Sequence, residues 1–210
     1  MTKLKDPIDK FLEDLSARTP TPGGGSASAL GGALGAALAH MAGAFTVGNE
    51  KFKSVEPQVI ALMEKIAALR NDMSALVQKD IDAYAAYSAA RSLPKNTPEE
   101  KTARSAALAA ANEVATAVPE QIVEACVNGF VLVEKLSRLA NPNLAGDVAV
   151  AAYFLEAAAR GAGIQVLSNC AASDTEGVNE RRRAATVEKI SQCQAARERI
   201  HQTVLKLLKL

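Results

Sequence analysis

Tryptophan is absent and aromatic residues make up only 4% of the chain, so alanine and aliphatic side chains must fill the core. Such side chains suit closely packed helices better than sheets, whose strands favour β-branched and aromatic residues. There are two histidines, His40 and His201, and neither stands in HxxxH or HExxH spacing, so no metal site is indicated. The three cysteines, Cys126, Cys170 and Cys193, are widely spaced without a CxxC pair, which reads as small buried thiols in a reducing compartment. Excess charge is missing too. Against 24 Lys and Arg stand 23 Asp and Glu, and a net charge of +1 argues against binding nucleic acid by phosphate neutralisation. Met1 to Asp14 mixes charge with apolar residues and lacks the apolar run of a signal peptide, which points to the cytoplasm.

No Asp, Glu, Lys or Arg occurs between Arg18 and Glu50. That stretch is long enough to span a bilayer. Its many Gly and Ala residues, with Ser28, His40 and Thr46, transfer poorly into lipid, so burial at the centre of a helical protein is the expectation.

What is present punctuates into helices within a single domain, 1–210. Ile8, Phe11, Leu12 and Leu15 fall at i, i+3, i+4 and i+7, predicting a short helix from Pro7 to Ala17. Pro20 and Pro22 break it before a helix from Ser26 to Val47, along which Gly31, Gly35, Ala39 and Gly43 form a stripe for tight packing. A long helix is predicted from Ser54 to Arg91, with Val59, Leu62, Ile66, Leu69, Met73 and Leu76 as a coiled-coil-like seam. The next seam position is Asp80, a carboxylate where an apolar knob is expected, costly unless paired or used. Thr97, Pro98 and Glu100 make a capping-box start for a helix ending near Val118, and Pro119 is read as opening the next, to Ala140. A further helix is expected from Leu144 to Ala172, a turn at Ser173–Gly177, and a charged helix to Leu210, whose seam Arg197 interrupts. The architecture expected is an all-α single-domain helical bundle with long helices, dimeric through seams longer than one bundle needs.

Two motifs stand out. Gly23-Gly24-Gly25-Ser26 is no P-loop, since no Gly-Lys-Ser/Thr follows, and no dinucleotide fingerprint, since Ser28 stands where the third glycine belongs. Glycines leading into a helix N-terminus still expose backbone N–H groups to an anion or a ligand ring. Asn141-Pro142-Asn143-Leu144-Ala145-Gly146-Asp147 places Asp147 at a helix start, either to complement the dipole or to act in a site. The run Arg181-Arg182-Arg183 reads as a solvated face or an anion contact.

At Pro20-Thr21-Pro22-Gly23-Gly24-Gly25-Ser26-Ala27 the sequence resembles the formiminotetrahydrofolate cyclodeaminase/methenyltetrahydrofolate cyclohydrolase family. Phe11 to Leu15, Asp80-Ile81-Asp82-Ala83-Tyr84, Leu93-Pro94-Lys95 and Asn141-Pro142-Asn143 leading to Asp147 are similar to its other blocks, and together they span most of the chain. Gly48-Asn49-Glu50-Lys51-Phe52 departs from it, standing where relatives often carry a more basic run.

The resemblance implies an all-α homodimer acting on tetrahydrofolate derivatives, with no metal or nicotinamide cofactor. Cyclohydrolases of the family open 5,10-methenyltetrahydrofolate with water to 10-formyltetrahydrofolate, whereas cyclodeaminases close 5-formiminotetrahydrofolate with loss of ammonia. The bifunctional members add a formiminotransferase domain for which 210 residues leave no room, so cyclohydrolase is the expected activity and cyclodeaminase the alternative. On this reading Asp147 activates water, Asp80 or Asp82 orients the pterin or assists proton transfer, and Gly23 to Ser26 line the pocket. Lys51, Lys53 or Arg197 would meet the glutamate tail. The rival class is a non-catalytic helical dimer serving as an interaction module.

Overall fold

The computed structural model describes residues 7–170 and 177–209 and contains no strand among them. Six α-helices follow one another: α1 Ile8–Ser16, α2 Gly24–Ala44, α3 Glu56–Arg91, α4 Pro98–Leu139, α5 Ala145–Asn169 and α6 Val178–Leu208. Short 3-10 turns at Glu50–Phe52 and Pro142–Leu144 precede α3 and α5.

Helices α2, α3, α4 and α5 form the central four-helix arrangement, each packed on the next and α5 back on α2, while α6 lies across α4 and α5. The predicted α3 seam is the core of this bundle: Val59, Leu62, Ile66, Leu69, Met73 and Leu76 are all buried. In α1 only Phe11 of the four apolar residues is buried, and Ile8 and Leu12 face outwards.

The glycine stripe of α2 permits close approach of neighbouring helices. A side chain at Gly35 would meet the Ala151 carbonyl of α5 at 2.8 Å, and one at Gly43 would meet Met63 of α3 at 2.6 Å. Gly31 is the exception, since nothing stands within 4 Å of its would-be Cβ. Helix α2 is long and apolar enough to cross a membrane, at a mean hydropathy of 1.2, but its Ala29, Ala33, Ala36 and Ala39 are buried in the bundle.

Two expected boundaries are corrected. Helix α2 begins at Gly24, so the glycines form its first turn rather than a loop before it. Pro119 does not open a helix; it lies inside α4, which runs unbroken from Pro98 to Leu139. Proline has no N–H to give the carbonyl four residues back, which leaves the Ala115 oxygen without its helical partner. Asn169 at the end of α5 supplies one, donating Nδ2 to that oxygen at 2.8 Å. The capping box is as predicted, with Thr97 Oγ1 accepting from the Glu100 N–H at 3.2 Å and Glu100 accepting from the Thr97 N–H at 3.1 Å.

Helix α5 ends at Asn169, and the expected continuation to Ala172 and the turn at Ser173–Glu176 lie outside the described residues. Within the arginine run, Arg182 pairs with Glu113 and Glu120 of α4, and Arg183 donates to the Cys170 carbonyl past the end of α5. Arg182 thereby ties α6 to α4, and Arg183 ties it to the end of α5.

Candidate active site

A cleft of about 420 Å³ opens at the end of the bundle where α2 and α6 begin and α3 and α5 end. That volume suits a small organic ligand. Its walls come from four helices: Gly23, Gly24 and Gly25 from the start of α2, Asp80, Ala83, Tyr84 and Tyr87 from α3, Asn112 and Ala115 from α4, and Gln165, Ser168 and Asn169 from α5. Pro20 and Thr21 complete the rim, and the Thr21–Pro22 peptide bond is cis.

The glycines matter here because two polar side chains occupy the space their own side chains would take. A Cβ on Gly25 would lie 2.6 Å from Asp80 Cγ and overlap its carboxylate. One on Gly24 would meet Gln165 Nε2 at 2.8 Å. Both groups are thus drawn down onto the first turn of α2. Ser26 is buried below them, accepting from the Gly23 N–H at 2.9 Å and donating back to the Gly23 carbonyl at 3.0 Å. It fixes the turn rather than lining the cleft.

Among the described residues Asp80 is the only charged side chain lining this cleft. Burial pushes its carboxyl above the ordinary value of 3.8, against the opposing pull of the Ser26 N–H and hydroxyl. A partly desolvated carboxylate of this kind holds a proton more readily than an exposed one and attracts a cation more strongly. From α4, Asn112 Nδ2 donates to the Asn169 carbonyl at 3.3 Å, and on α3 itself, beyond Asp80, Tyr84 and Tyr87 present rings whose centres are 6.3 Å apart.

The remaining candidates lie elsewhere. Asp82 is exposed and accepts from Gln78 Nε2 at 2.8 Å. Asp147 stands in the first turn of α5, 18 residues before Gln165 in the same helix, or roughly 27 Å at 1.5 Å per residue. The structure of one chain does not bring it to Asp80, and its position is that of a carboxylate complementing a helix dipole. Lys51 and Lys53 are exposed just beyond α2 at that same far end, with Glu50 3.5 Å from Lys53 Nζ. Arg197 pairs with Glu156 of α5 at 2.8 Å and also contacts Glu198, away from the cleft. Of the predicted site residues, the cleft unites Gly23, Gly24, Gly25 and Asp80, with Ser26 underneath.

Sequence reasoning missed Asn112, Gln165 and Asn169. The available signal was weak: Asn112 is a lone carboxamide in an alanine-rich run, and Gln165 and Asn169 are uncharged polar residues ending an otherwise small and apolar segment.

A family model described as formiminotransferase-cyclodeaminase matches residues 7–189. The chain is 36% identical over 197 residues to a methenyltetrahydrofolate cyclohydrolase of Methylorubrum extorquens, covering 94% of this chain and 95% of that one. It is 37% identical over 159 residues to the formimidoyltransferase-cyclodeaminase of Rattus norvegicus, covering 76% of this chain but 29% of that longer protein. Among solved structures, a formiminotetrahydrofolate cyclodeaminase from Thermotoga maritima superposes with a TM-score of 0.79 at 27% identity, covering 98% of this chain and 97% of that one.

Proposed function

The chain belongs to the formiminotransferase-cyclodeaminase family, and from that premise we propose that it is a methenyltetrahydrofolate cyclohydrolase, hydrolysing 5,10-methenyltetrahydrofolate to 10-formyltetrahydrofolate in cytoplasmic one-carbon metabolism. Its 36% identity over nearly the whole length of the Methylorubrum extorquens cyclohydrolase, against 27% to the similarly full-length Thermotoga maritima cyclodeaminase, supports this activity over the cyclodeaminase one. The observation that carries the site assignment is a single half-buried carboxylate, Asp80, set against a glycine turn in a cleft large enough for a pterin.

The substrate is a cation whose charge spreads over N5, N10 and the methenyl carbon between them. Asp80 stabilises that charge and, as the base, takes a proton from the water that attacks the carbon. A neutral tetrahedral adduct results. As its carbon–N5 bond breaks, the proton held by Asp80 passes to N5, and the adduct's hydroxyl gives up its own proton as it becomes the formyl carbonyl on N10. Asp80, again a carboxylate, takes that proton and passes it to solvent, so one proton is released per turnover. A carboxyl whose affinity for the proton is raised by burial suits this return step. Water and one side chain supply all the protons the reaction moves, so the proposed step calls on no metal or redox cofactor.

We further infer a homodimer. Ala27, Gly31, Leu34, Leu38 and Met41 of α2 alternate spacings of four and three, as do Val150, Phe154, Ala157, Gly161 and Ile164 of α5, and none of them is buried within one chain. Two adjacent heptad stripes without a charge have the pattern of helices awaiting helices, and a second copy offers the same apolar stripes in return.

The test is the decay of methenyltetrahydrofolate absorbance with purified protein, wild type beside Asp80→Asn, corrected for spontaneous hydrolysis. Fast decay that is lost in the variant supports the reading. Without acceleration by wild type the cyclohydrolase assignment fails, and release of ammonia from 5-formiminotetrahydrofolate would then identify the cyclodeaminase.

A further inference from the structure

Gln165 lies in the wall of the cleft, and its carboxamide rests in the space that a Gly24 side chain would fill. No hydrogen bond to the rest of the protein satisfies that carboxamide among the described residues. Its neighbours on the same wall are committed. Asn169 Nδ2 donates to the Ala115 carbonyl and Asn112 Nδ2 to the Asn169 carbonyl. Those bonds fix which end of each amide is nitrogen, and they leave the Asn112 oxygen as an acceptor. Gln165 therefore offers the cleft a paired donor and acceptor with no internal partner, beside a carboxylate already assigned to the reacting carbon.

Resting on the folate reading above, we propose that Gln165 is the residue that recognises the pterin ring, through its lactam edge. The lactam presents one acceptor, the 4-oxo oxygen, next to one donor, the N3–H. A carboxamide matches both at once, giving Nε2–H to the oxygen and taking N3–H on Oε1. The Asn112 oxygen is placed on the same wall to accept from the adjacent 2-amino group. A carboxylate would not do the same work, because it has no hydrogen to give the 4-oxo oxygen and repels it. Holding the pterin edge makes Gln165 a binding residue, whose contact is made equally in the ground state and the transition state and does not involve the reacting atoms.

The experiment measures binding of 5-formyltetrahydrofolate, which carries the pterin but lacks the methenyl cation, by calorimetry to the full chain. Wild type, Gln165→Glu and Gln165→Leu are compared, each first checked for an unchanged helical melting profile. The expected result is binding to wild type, a loss of at least tenfold in both variants, and no change for p-aminobenzoylglutamate, which has no pterin. In turnover the same variants raise KM for methenyltetrahydrofolate at least tenfold with kcat within about threefold. Equal affinity of wild type and both variants for the formyl compound overturns the assignment of Gln165 while leaving the folate reading intact. A wild type that binds neither compound overturns both.

Discussion

The carboxylate of Asp80 occupies the volume that a side chain on Gly25 would require. One residue comes from the C-terminal part of α3 and the other from the first turn of α2, so the absence of a side chain on α2 is what lets the acid of α3 into the cleft. The pairing predicts that Gly25→Ala displaces Asp80 and lowers kcat/KM by at least a hundredfold, the order lost with a general base. Gly146→Ala is the control, since its Cβ meets nothing within 4 Å. It should keep full activity and, lying in the first turn of α5 and not in a helix interior, gain less than the ~0.5–1 kcal/mol of a mid-helix replacement. Steady-state kinetics and thermal melts on the two variants check this.

Asp80 couples function to pH in a definite direction. Its folded carboxyl binds a proton more tightly than its unfolded one, so stability falls as pH rises from 3.8 through the raised folded value and stays lower above it. Asp80→Asn should therefore melt higher than wild type at neutral pH. The two should converge in acid. In the wild type kcat/KM should rise with pH through a limb displaced above the ordinary aspartate value, and the residual activity of the variant should lack that limb. Melting curves and pH–rate profiles over the same pH range decide both points.

Asp147 sits at the opposite end of α5 from Gln165, and its replacement should affect the helix rather than the chemistry. We expect Asp147→Asn to leave kcat/KM within about threefold and to cost ~0.3–1 kcal/mol of stability through the helix dipole. A loss of activity comparable to that of Asp80→Asn, with the fold intact, would return Asp147 to the site.

Cys126 and Cys193 are buried on α4 and α6. Burial pushes the Cys126 thiol well up and that of Cys193 up to about 12, so neither is ionised near neutrality. Since the thiolate is the reactive form, iodoacetamide should leave both unlabelled in the native protein at pH 8 and label them after denaturation. Peptide mass mapping of the two samples reads the result.

The stripes on α2 and α5 carry the dimer reading, and charge placed within them should break it. Leu34→Asp with Phe154→Asp should convert a dimer into a monomer in sedimentation velocity, with the far-UV helical signal retained. A wild type that sediments as a monomer at micromolar concentration would dismiss the self-association.

The fold was legible because its signals are local and repetitive. The α3 seam announces itself every three or four residues, and Thr97 with Glu100 marks a helix start within one turn. Asp80 stood out as a carboxylate on an apolar seam, and the triple glycine by composition alone. What stayed hidden depends on distant parts of the chain meeting. Gln165 gains its meaning from Gly24, and nothing near either in sequence points to the other. Asp147 and Asp80 look alike as acids on helices, but α3 and α5 run the same way, so an acid at the start of α5 and one near the end of α3 fall at opposite ends of the bundle. Pro119 was misread because the rule that proline ends helices assumes that the orphaned carbonyl has no other taker.

That orphaned carbonyl also sets an axial register. Elsewhere inside α4 the backbone carbonyls are taken by the helix's own N–H groups and offer a neighbouring helix no fixed point. At Ala115 one oxygen is vacant, and Asn169 fills it at 2.8 Å. A slip of α5 by one turn, about 5.4 Å, would leave that oxygen unsatisfied and lift Gln165 off Gly24. A missing hydrogen on α4 thus works as an index notch, holding α5 at the one height where the cleft wall is complete.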